Sequence, residues 1–241
     1  GADLGNYAFQ NEDDKTLTRT GSTVTDTDTG KITPRPVVIV LDDQKKVYDG
    51  TDDVALTGTV EITGVTGDPD SGVVNGETLT ASLVDGAAGT ASSADEGENR
   101  TVTVNTDQIR LDGDTKGNYS FTVPSPALAI THRPVTLQIG DDTGVYGETP
   151  SLSGVSLVDI TAEGPDSGMV ENEDPNALFG KLLTVDPDGD TKLTVNGGPN
   201  TDGSYPITAM DGRIGNYNVT FKPGTYTVTQ RPVTIVIQNA G

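Results

Sequence analysis

The sequence of 241 residues contains no cysteine and no tryptophan, and it has one histidine, His132. Without cysteine there is no disulfide, no thiolate nucleophile and no thiolate metal site. A Ser-His-Asp mechanism would have to use His132. That residue stands in "ITHRPV", and the two related stretches of the chain carry Pro34 and Gln230 in the same slot. A variable slot suits a catalytic base poorly, so we predict that the chain is not an enzyme.

Basic residues are few: 15 Lys and Arg stand against 36 Asp and Glu, which gives a net charge of −21. Nucleic-acid phosphates and anionic membrane surfaces would be repelled. No run of 18 apolar residues is present, so no membrane-spanning helix is predicted. We expect no nucleic-acid partner and no direct membrane insertion. Solubility is the first explanation of the charge, and divalent cation binding is the second.

Aromatic residues make up 5% of the chain, which disfavours a sugar-stacking groove, and hydrophobic residues make up 32%. A core built from so few apolar residues is thin, which favours small domains over one large domain.

An Arg-Pro pair occurs three times, in "TPRPVVIVLD", "THRPVTLQIG" and "TQRPVTIVIQ". Pro36, Pro134 and Pro232 are each 98 residues apart. Two tyrosine landmarks recur at the same spacing, Tyr48 with Tyr146 and Tyr119 with Tyr217. A fixed period indicates an array of equivalent structural units. We therefore predict that Tyr119 and Tyr217 occupy equivalent sites at the start of the penultimate strand of each unit.

The period divides the chain into four parts. Residues 34–131 and 132–229 are two complete repeats. Residues 1–33 carry the closing landmarks of a preceding repeat, and residues 230–241 are the first strand of a following one. We therefore expect the chain to be a segment of a longer array.

Short β-branched runs separated by Asn-Gly and Asp-Gly turns predict an all-β fold with little helix. About seven strands in about 98 residues favour tandem immunoglobulin-like β-sandwich repeats. A β-grasp-like repeat with a small helix near "DDVAL" or "DPNALFG" is the alternative. Proline suits the start of a strand and holds the preceding residue extended, so the linker between repeats is predicted to be short and stiff.

The stretch "RPV…DDQKKVYDGTDDVALTG…GNYSFTV…ITHRP" resembles the YDG repeat of large bacterial surface proteins. The stretch "RPVTLQIGDDTGVYGETPSLSG…GNYNVTFKPGTYTVTQRP" is similar to the MBG repeat of the Tyr-Gly-X type. The likeness covers nearly all of residues 32–241. It implies non-catalytic, extracellular stalk or spacer repeats of a bacterial cell-surface adhesin, with adjacent repeats of the same protein as partners.

Two polar loops, at residues 11–30 and 175–203, support an alternative function. Loops on a rigid β scaffold are frequent binding sites, so these could form an adhesive module that contacts a host or neighbour-cell ligand.

The stretch "DPDGDT" places Asp186, Asp188 and Asp190 at alternate positions. Oxygen ligands in such a loop suit Ca²⁺, so these three residues are the candidate metal ligands. Asp and Gly also populate hairpin turns for conformational reasons, so an ordinary turn without a metal is the alternative. The glutamate that closes an EF-hand loop is missing, since Gly197 stands in its place. Asp43 and Asp141 share one repeat position, where we predict that each caps a local turn.

Overall fold

The computed structural model describes residues 33–161, 164–185 and 203–237, together with two short strands nearer the N-terminus. Those two strands, β1 (Thr18–Thr20) and β2 (Thr23–Thr25), pair antiparallel within the polar stretch at 11–30. The fold is mostly β, with 45% strand and one short α-helix. The prediction of a β fold with little helix is therefore confirmed. No helix in the described ranges is long and apolar enough to cross a membrane.

The first unit contains ten strands in three sheets. They are β3 (Arg35–Leu41), β4 (Gln44–Val47), β5 (Asp53–Ala55), β6 (Val60–Thr63), β7 (Thr80–Leu83), β8 (Ala88–Ala91), β9 (Gly97–Thr103), β10 (Ile109–Asp112), β11 (Tyr119–Thr122) and β12 (Ala127–Thr131). The sheet orders are β11-β3-β6, β4-β12-β9-β8-β5 and β10-β7. Two short 3-10 helices, Thr106–Gln108 and Lys116–Asn118, precede β10 and β11.

The second unit contains eight strands in two sheets and the only α-helix of the described residues. Its elements are β13 (Arg133–Ile139), β14 (Asp142–Val145), β15 (Leu157–Asp159), α1 (Pro175–Phe179), a 3-10 helix (Gly180–Leu182), β16 (Thr184–Val185), β17 (Gly203–Thr208), β18 (Gly212–Ile214), β19 (Tyr217–Lys222) and β20 (Gly224–Thr229). The sheet orders are β15-β13-β19-β18 and β14-β20-β17-β16.

Both units share one strand arrangement. The first strand of each unit pairs in parallel with its penultimate strand, β3 with β11 and β13 with β19. The second strand pairs in parallel with the last, β4 with β12 and β14 with β20. Tyr119 lies opposite Arg35 and Tyr217 lies opposite Arg133. The predicted common register of the two repeats is therefore present, and the first two strands of each unit belong to different, curled sheets.

The small helix of the β-grasp alternative is present at only one of its two expected places. "DPNALFG" contains α1, because the Asp174 carboxylate caps it by accepting from the Asn176 amide and Pro175 stands in its first turn. "DDVAL" instead forms β5, where Val54 is buried between exposed neighbours in strand alternation. Two β units with curled sheets are established, and the immunoglobulin-like subclass stays a prediction.

The core comes from strand alternation and continues from one unit into the next. Val135, Leu137 and Ile139 of β13 all face inward and are almost fully buried. They share one buried cluster with Leu128 and Ile130 of β12 in the first unit. A single residue separates β12 from β13, so the predicted short linker is confirmed.

Candidate functional site at the junction between the units

Arg133, the first residue of β13, anchors a loop of its own unit. Its side chain is buried. Its Nε donates to the Gly168 carbonyl at 2.7 Å, and its Nη2 donates to the carbonyls of Pro165 and Ser167 at 2.8 and 2.7 Å. The planar guanidinium suits several carbonyls in a fixed fork geometry. The remaining nitrogen, Nη1, donates across the junction to the Tyr48 carbonyl at 3.3 Å.

Arg35 makes the same loop contacts in the first unit. Its Nε donates to the Gly72 carbonyl at 2.9 Å, and its Nη2 donates to the Ser71 and Pro69 carbonyls at 2.7 and 3.1 Å. The loop anchor is thus a property of each repeat. The contact with Tyr48 is the additional one that joins the two units.

The Tyr48 side chain extends from the first unit into the second. Its hydroxyl donates to Glu173 Oε1 at 2.7 Å, and its ring meets the Tyr217 ring edge to face with centroids 5.5 Å apart. Such aromatic pairs add to the energy of apolar burial. Gly50 permits the close approach, because a Cβ there would stand 2.9 Å from Val170 Cγ1 and its φ is +77°.

Glu173 joins the two tyrosines. While Oε1 accepts from Tyr48, Oε2 accepts from the Tyr217 hydroxyl in a short hydrogen bond. The Val170 amide donates to the Tyr217 oxygen at 3.0 Å. Burial, followed by the bond to Glu173, raises the pKa of Tyr48 and of Tyr217 above the ordinary value of 10.0. Both phenols therefore stay neutral donors at physiological pH.

A second set of hydrogen bonds lies beside the linker. Asn216 accepts from the Glu96 amide through Oδ1 and donates through Nδ2 to Asp95 Oδ1, both at 3.0 Å. Its backbone carbonyl accepts from the Arg133 amide at 2.9 Å. His132 Nδ1 lies 3.8 Å from Glu96 Oε2. Asn216, a residue of the second unit, thus bonds both to Asp95 and Glu96 of the first unit and to the first residue of β13.

Comparison with family models identifies both repeats. Residues 33–127 match the YDG domain, and residues 135–227 match the MBG domain (YGX type). The chain carries a YDG domain followed by an MBG domain of the YGX type. The resemblance inferred from the sequence is thereby confirmed. Domains of these two kinds are typical of repeats in surface proteins. A search of curated proteins gave no match.

One pair of landmark tyrosines has the same surroundings in both units, and the other pair does not. Tyr119 of the YDG unit and Tyr217 of the MBG unit are both buried, and each accepts from a valine amide and donates to a glutamate. Their predicted equivalence is confirmed. Tyr48 is 6% exposed at the junction, whereas its repeat equivalent Tyr146 is 43% exposed.

The aspartates singled out in the sequence have different outcomes. The candidate metal ligands Asp186, Asp188 and Asp190 lie outside the described residues, so Ca²⁺ binding there stays a prediction. No group of three or more potential metal ligands occurs among the residues that the structure describes. The expected local turn caps at Asp43 and Asp141 are wrong. Each carboxylate instead accepts from an amide 84 residues further on, at the beginning of the last strand of its unit.

The glutamates Glu77 and Glu173 were missed by the sequence reasoning. Glu77 Oε2 accepts from Tyr119 and from Thr115 in the YDG unit, as Glu173 does from Tyr217. These bonds, led by that of Tyr119, lower the pKa of Glu77. The available signal was spacing: the two glutamates are 96 residues apart, as are Asp70 and Asp166. Because the chain has many acidic residues, this spacing alone did not distinguish Glu77 and Glu173 from the other acidic residues.

Proposed function

We propose that this chain is a structural spacer, a stiff two-repeat segment of the stalk of a large extracellular bacterial surface adhesin. The observation that carries the proposal is the junction, where Tyr48 of the YDG unit reaches Glu173 of the MBG unit and Arg133 reaches back to the Tyr48 carbonyl. Together with a one-residue linker, these contacts oppose bending at the point where a chain of domains would otherwise flex.

The chemistry of the junction supports a mechanical role. A hydroxyl bonded to a carboxylate and a guanidinium bonded to carbonyls are directional, charge-assisted contacts. They surround a packed aromatic pair, so that tilting one unit against the other would break hydrogen bonds and separate rings together. A buried cluster that includes side chains of both units adds resistance to the same motion.

We propose no catalytic activity for these repeats. Their sole histidine lies at the linker beside Glu96, within the contacts that join the units. The partners that this role requires are adjacent repeats of the same protein. We also propose that each repeat is an immunoglobulin-like sandwich in architecture. The net charge of −21 suits a long array whose surfaces must not aggregate.

Small-angle X-ray scattering of longer arrays tests the spacer role. Residues 34–229 would be joined in frame as one, two and three copies. A stiff spacer predicts that the maximum dimension rises by a constant increment per copy. A control array with about ten Gly and Ser residues inserted after Thr131 should grow more slowly, as flexible linkers do. If the unmodified arrays are as compact as this control, the proposal is wrong.

A further inference from the structure

The turn that follows Tyr48 in the YDG unit differs from the turn at the equivalent Tyr146 in the MBG unit. Up to these tyrosines the two units keep the same register, because each tyrosine amide donates at 2.9 Å to the carbonyl of the last residue in the last strand of its unit. Beyond them, "YDGT" in the YDG unit corresponds to "YGET" in the MBG unit. The glycine with a positive φ is Gly50 in the first case and Gly147, one place earlier in the repeat, in the second.

Side chains of the YDG unit hold its turn in place. Asp49 Oδ1 accepts from the amide and from the hydroxyl of Thr51, both at 3.0 Å. Lys46 Nζ lies 2.7 Å from the same Oδ1 and donates to the carbonyls of Thr51 and Asp53 at 2.9 and 2.7 Å. An aspartate that bonds the backbone two residues later is a common turn stabiliser. These contacts fix the backbone that follows the tyrosine.

The MBG unit lacks the residues that make these contacts. Gly144 and Gly147 stand at the repeat positions of Lys46 and Asp49. A side chain at position 144 is excluded, because the Tyr226 hydroxyl occupies the place that its Cβ would take. The lysine and the aspartate of the YDG turn therefore have no counterpart in the MBG unit.

A backbone hydrogen bond closes the MBG turn instead. The Glu148 amide donates to the Val145 carbonyl at 3.0 Å. Gly147 is the third residue of this turn and has a φ of +82°, which is the conformation that turns of type II require there. Glu148 consequently stands at the repeat position that Gly50 occupies in the YDG unit.

The face of the MBG unit that receives the YDG turn fits closely around Gly50. A Cβ on this residue would lie 2.9 Å from Val170 Cγ1 and 3.9 Å from the Tyr48 hydroxyl, and its φ of +77° favours glycine. The Tyr48 hydroxyl itself donates to Glu173 at 2.7 Å. A glutamate in place of Gly50 would therefore crowd Val170 and bring a second carboxylate towards Glu173. Like charges placed together in this way suppress wrong partners.

We propose that this face of the MBG unit, formed by Arg133, Val170, Glu173 and Tyr217, selects the kind of unit that precedes it. It accepts a YDG-type unit, whose tyrosine is followed by Asp-Gly, and rejects an MBG-type unit, whose tyrosine is followed by Gly-Glu. The discrimination comes both from the contacts of the accepted turn and from the crowding and repulsion that the other turn would meet. The inference rests on the proposed spacer role, because the choice of neighbour matters where units follow one another in an array.

Residual dipolar couplings of the full chain measure whether the two units keep one orientation. In a rigid pair, the backbone N–H couplings of both units fit a single alignment tensor. Asp49→Gly together with Gly50→Glu gives the YDG unit the Tyr-Gly-Glu turn, and the two units should then require tensors of different magnitude. The matched control, Gly147→Asp together with Glu148→Gly, makes the reverse exchange at a turn away from the junction and should leave a single tensor.

A milder variant keeps the test decisive if the exchanged turn disturbs the folding of the YDG unit. Gly50→Asn places a side chain against Val170, and asparagine visits the left-handed backbone region more readily than most residues with a Cβ. This variant should also separate the two tensors. Adding Val170→Ala removes the crowded atom and should bring the tensors together again. A single tensor for a folded Gly50→Asn protein, or for a folded double exchange, would overturn the inference.

The natural chain separates this inference from the spacer role. If the natural chain already requires two tensors, its units do not keep one orientation, and the spacer proposal fails together with the inference. If the natural chain fits one tensor and the variants of the YDG turn do too, the spacer role stands and the selection alone is wrong. Equal loosening by both exchanges would also contradict the selection, because one of the two exchanged turns lies away from the junction.

Discussion

The glutamate that bonds the landmark tyrosine has a different number of tyrosine partners in the two units. In the YDG unit, Glu77 holds Tyr119 of its own unit through one oxygen. In the MBG unit, Glu173 does the same for Tyr217 and uses its other oxygen for Tyr48 of the preceding unit. A contact within one repeat thus becomes a contact between repeats by the addition of a single hydrogen bond.

Removing that bond should weaken the junction measurably. Tyr48→Phe keeps the ring against Tyr217 but deletes the donor to Glu173, so the free energy of unfolding should fall by about 1.5–3 kcal/mol, as for other bonds to charged groups. Tyr146→Phe is the matched control, because no described residue bonds its hydroxyl, and its effect should stay within about 0.5 kcal/mol. Urea unfolding measures both. Equal effects of the two substitutions would contradict the assigned role of Tyr48.

The raised pKa values of Tyr48 and Tyr217 predict a loss of stability at alkaline pH. Folding raises the pKa of Tyr48 and of Tyr217, chiefly by burial. Their stabilising contribution is therefore complete below the ordinary tyrosine pKa of 10.0 and is lost as pH rises from there towards the folded-state values. Urea unfolding between about pH 8 and about pH 11 should show this decline. Tyr48→Phe should make the decline shallower, whereas a stability that is constant or rising over this range would contradict the assignment.

At the scale of elements, an aspartate after the first strand fixes the beginning of the last strand. Asp141 Oδ1 accepts from the Thr225 amide of β20 at 2.7 Å, and Asp43 Oδ1 accepts from the Ala127 amide of β12 at 3.2 Å. Because β20 also pairs in parallel with β14, this bond helps to set where two strands distant in sequence meet.

Deleting the carboxylate should destabilise the MBG unit. Asp141→Ala leaves the Thr225 amide without its acceptor and should lower the free energy of unfolding by about 1–2 kcal/mol. Asp52→Ala is the control, because this exposed aspartate makes no side-chain hydrogen bond to the described residues, and little change is expected. Urea unfolding of both variants checks the comparison. Loss of the same free energy in both would mean that only net charge matters.

Regular spacing allowed much of this architecture to be predicted from the sequence. The Arg-Pro strands, the common register of Tyr119 and Tyr217 and the short linker all follow from the period and from the geometry of proline. The parallel pairings were not predictable, because alternation shows which face of a strand is buried and not which strand lies beside it. For the same reason Asp141 was assigned to a local turn, although its partner is 84 residues away.

The contacts at the junction could not be predicted from the sequence either. A residue that contacts the neighbouring repeat recurs at the same spacing as a residue that contacts its own repeat. Tyr48 and Tyr146 occupy the same position of the repeat, so the sequence does not distinguish them. Only the position of Glu173 in three dimensions shows that one of them is buried between units.

At the scale of the whole molecule, the account predicts that the two units move as one body. Charge repulsion and flexible linkers would favour a range of orientations, whereas the contacts of Tyr48, Arg133 and Asn216 favour one orientation. The absence of cysteine makes this measurable, because spin labels can be attached at two introduced cysteines without competing sites. Glu61 in β6 and Lys222 in β19 are exposed positions, one in each unit.

The most direct measurement is the electron–electron distance distribution between labels at Glu61→Cys and Lys222→Cys. We predict one narrow distribution for the intact junction. Arg133→Lys, which replaces the fork of donors by a single ammonium, should broaden it. Arg35→Lys, which alters the same loop anchor away from the junction, should leave it narrow. A distribution that is already broad with Tyr48, Arg133 and Glu173 in place would contradict the account.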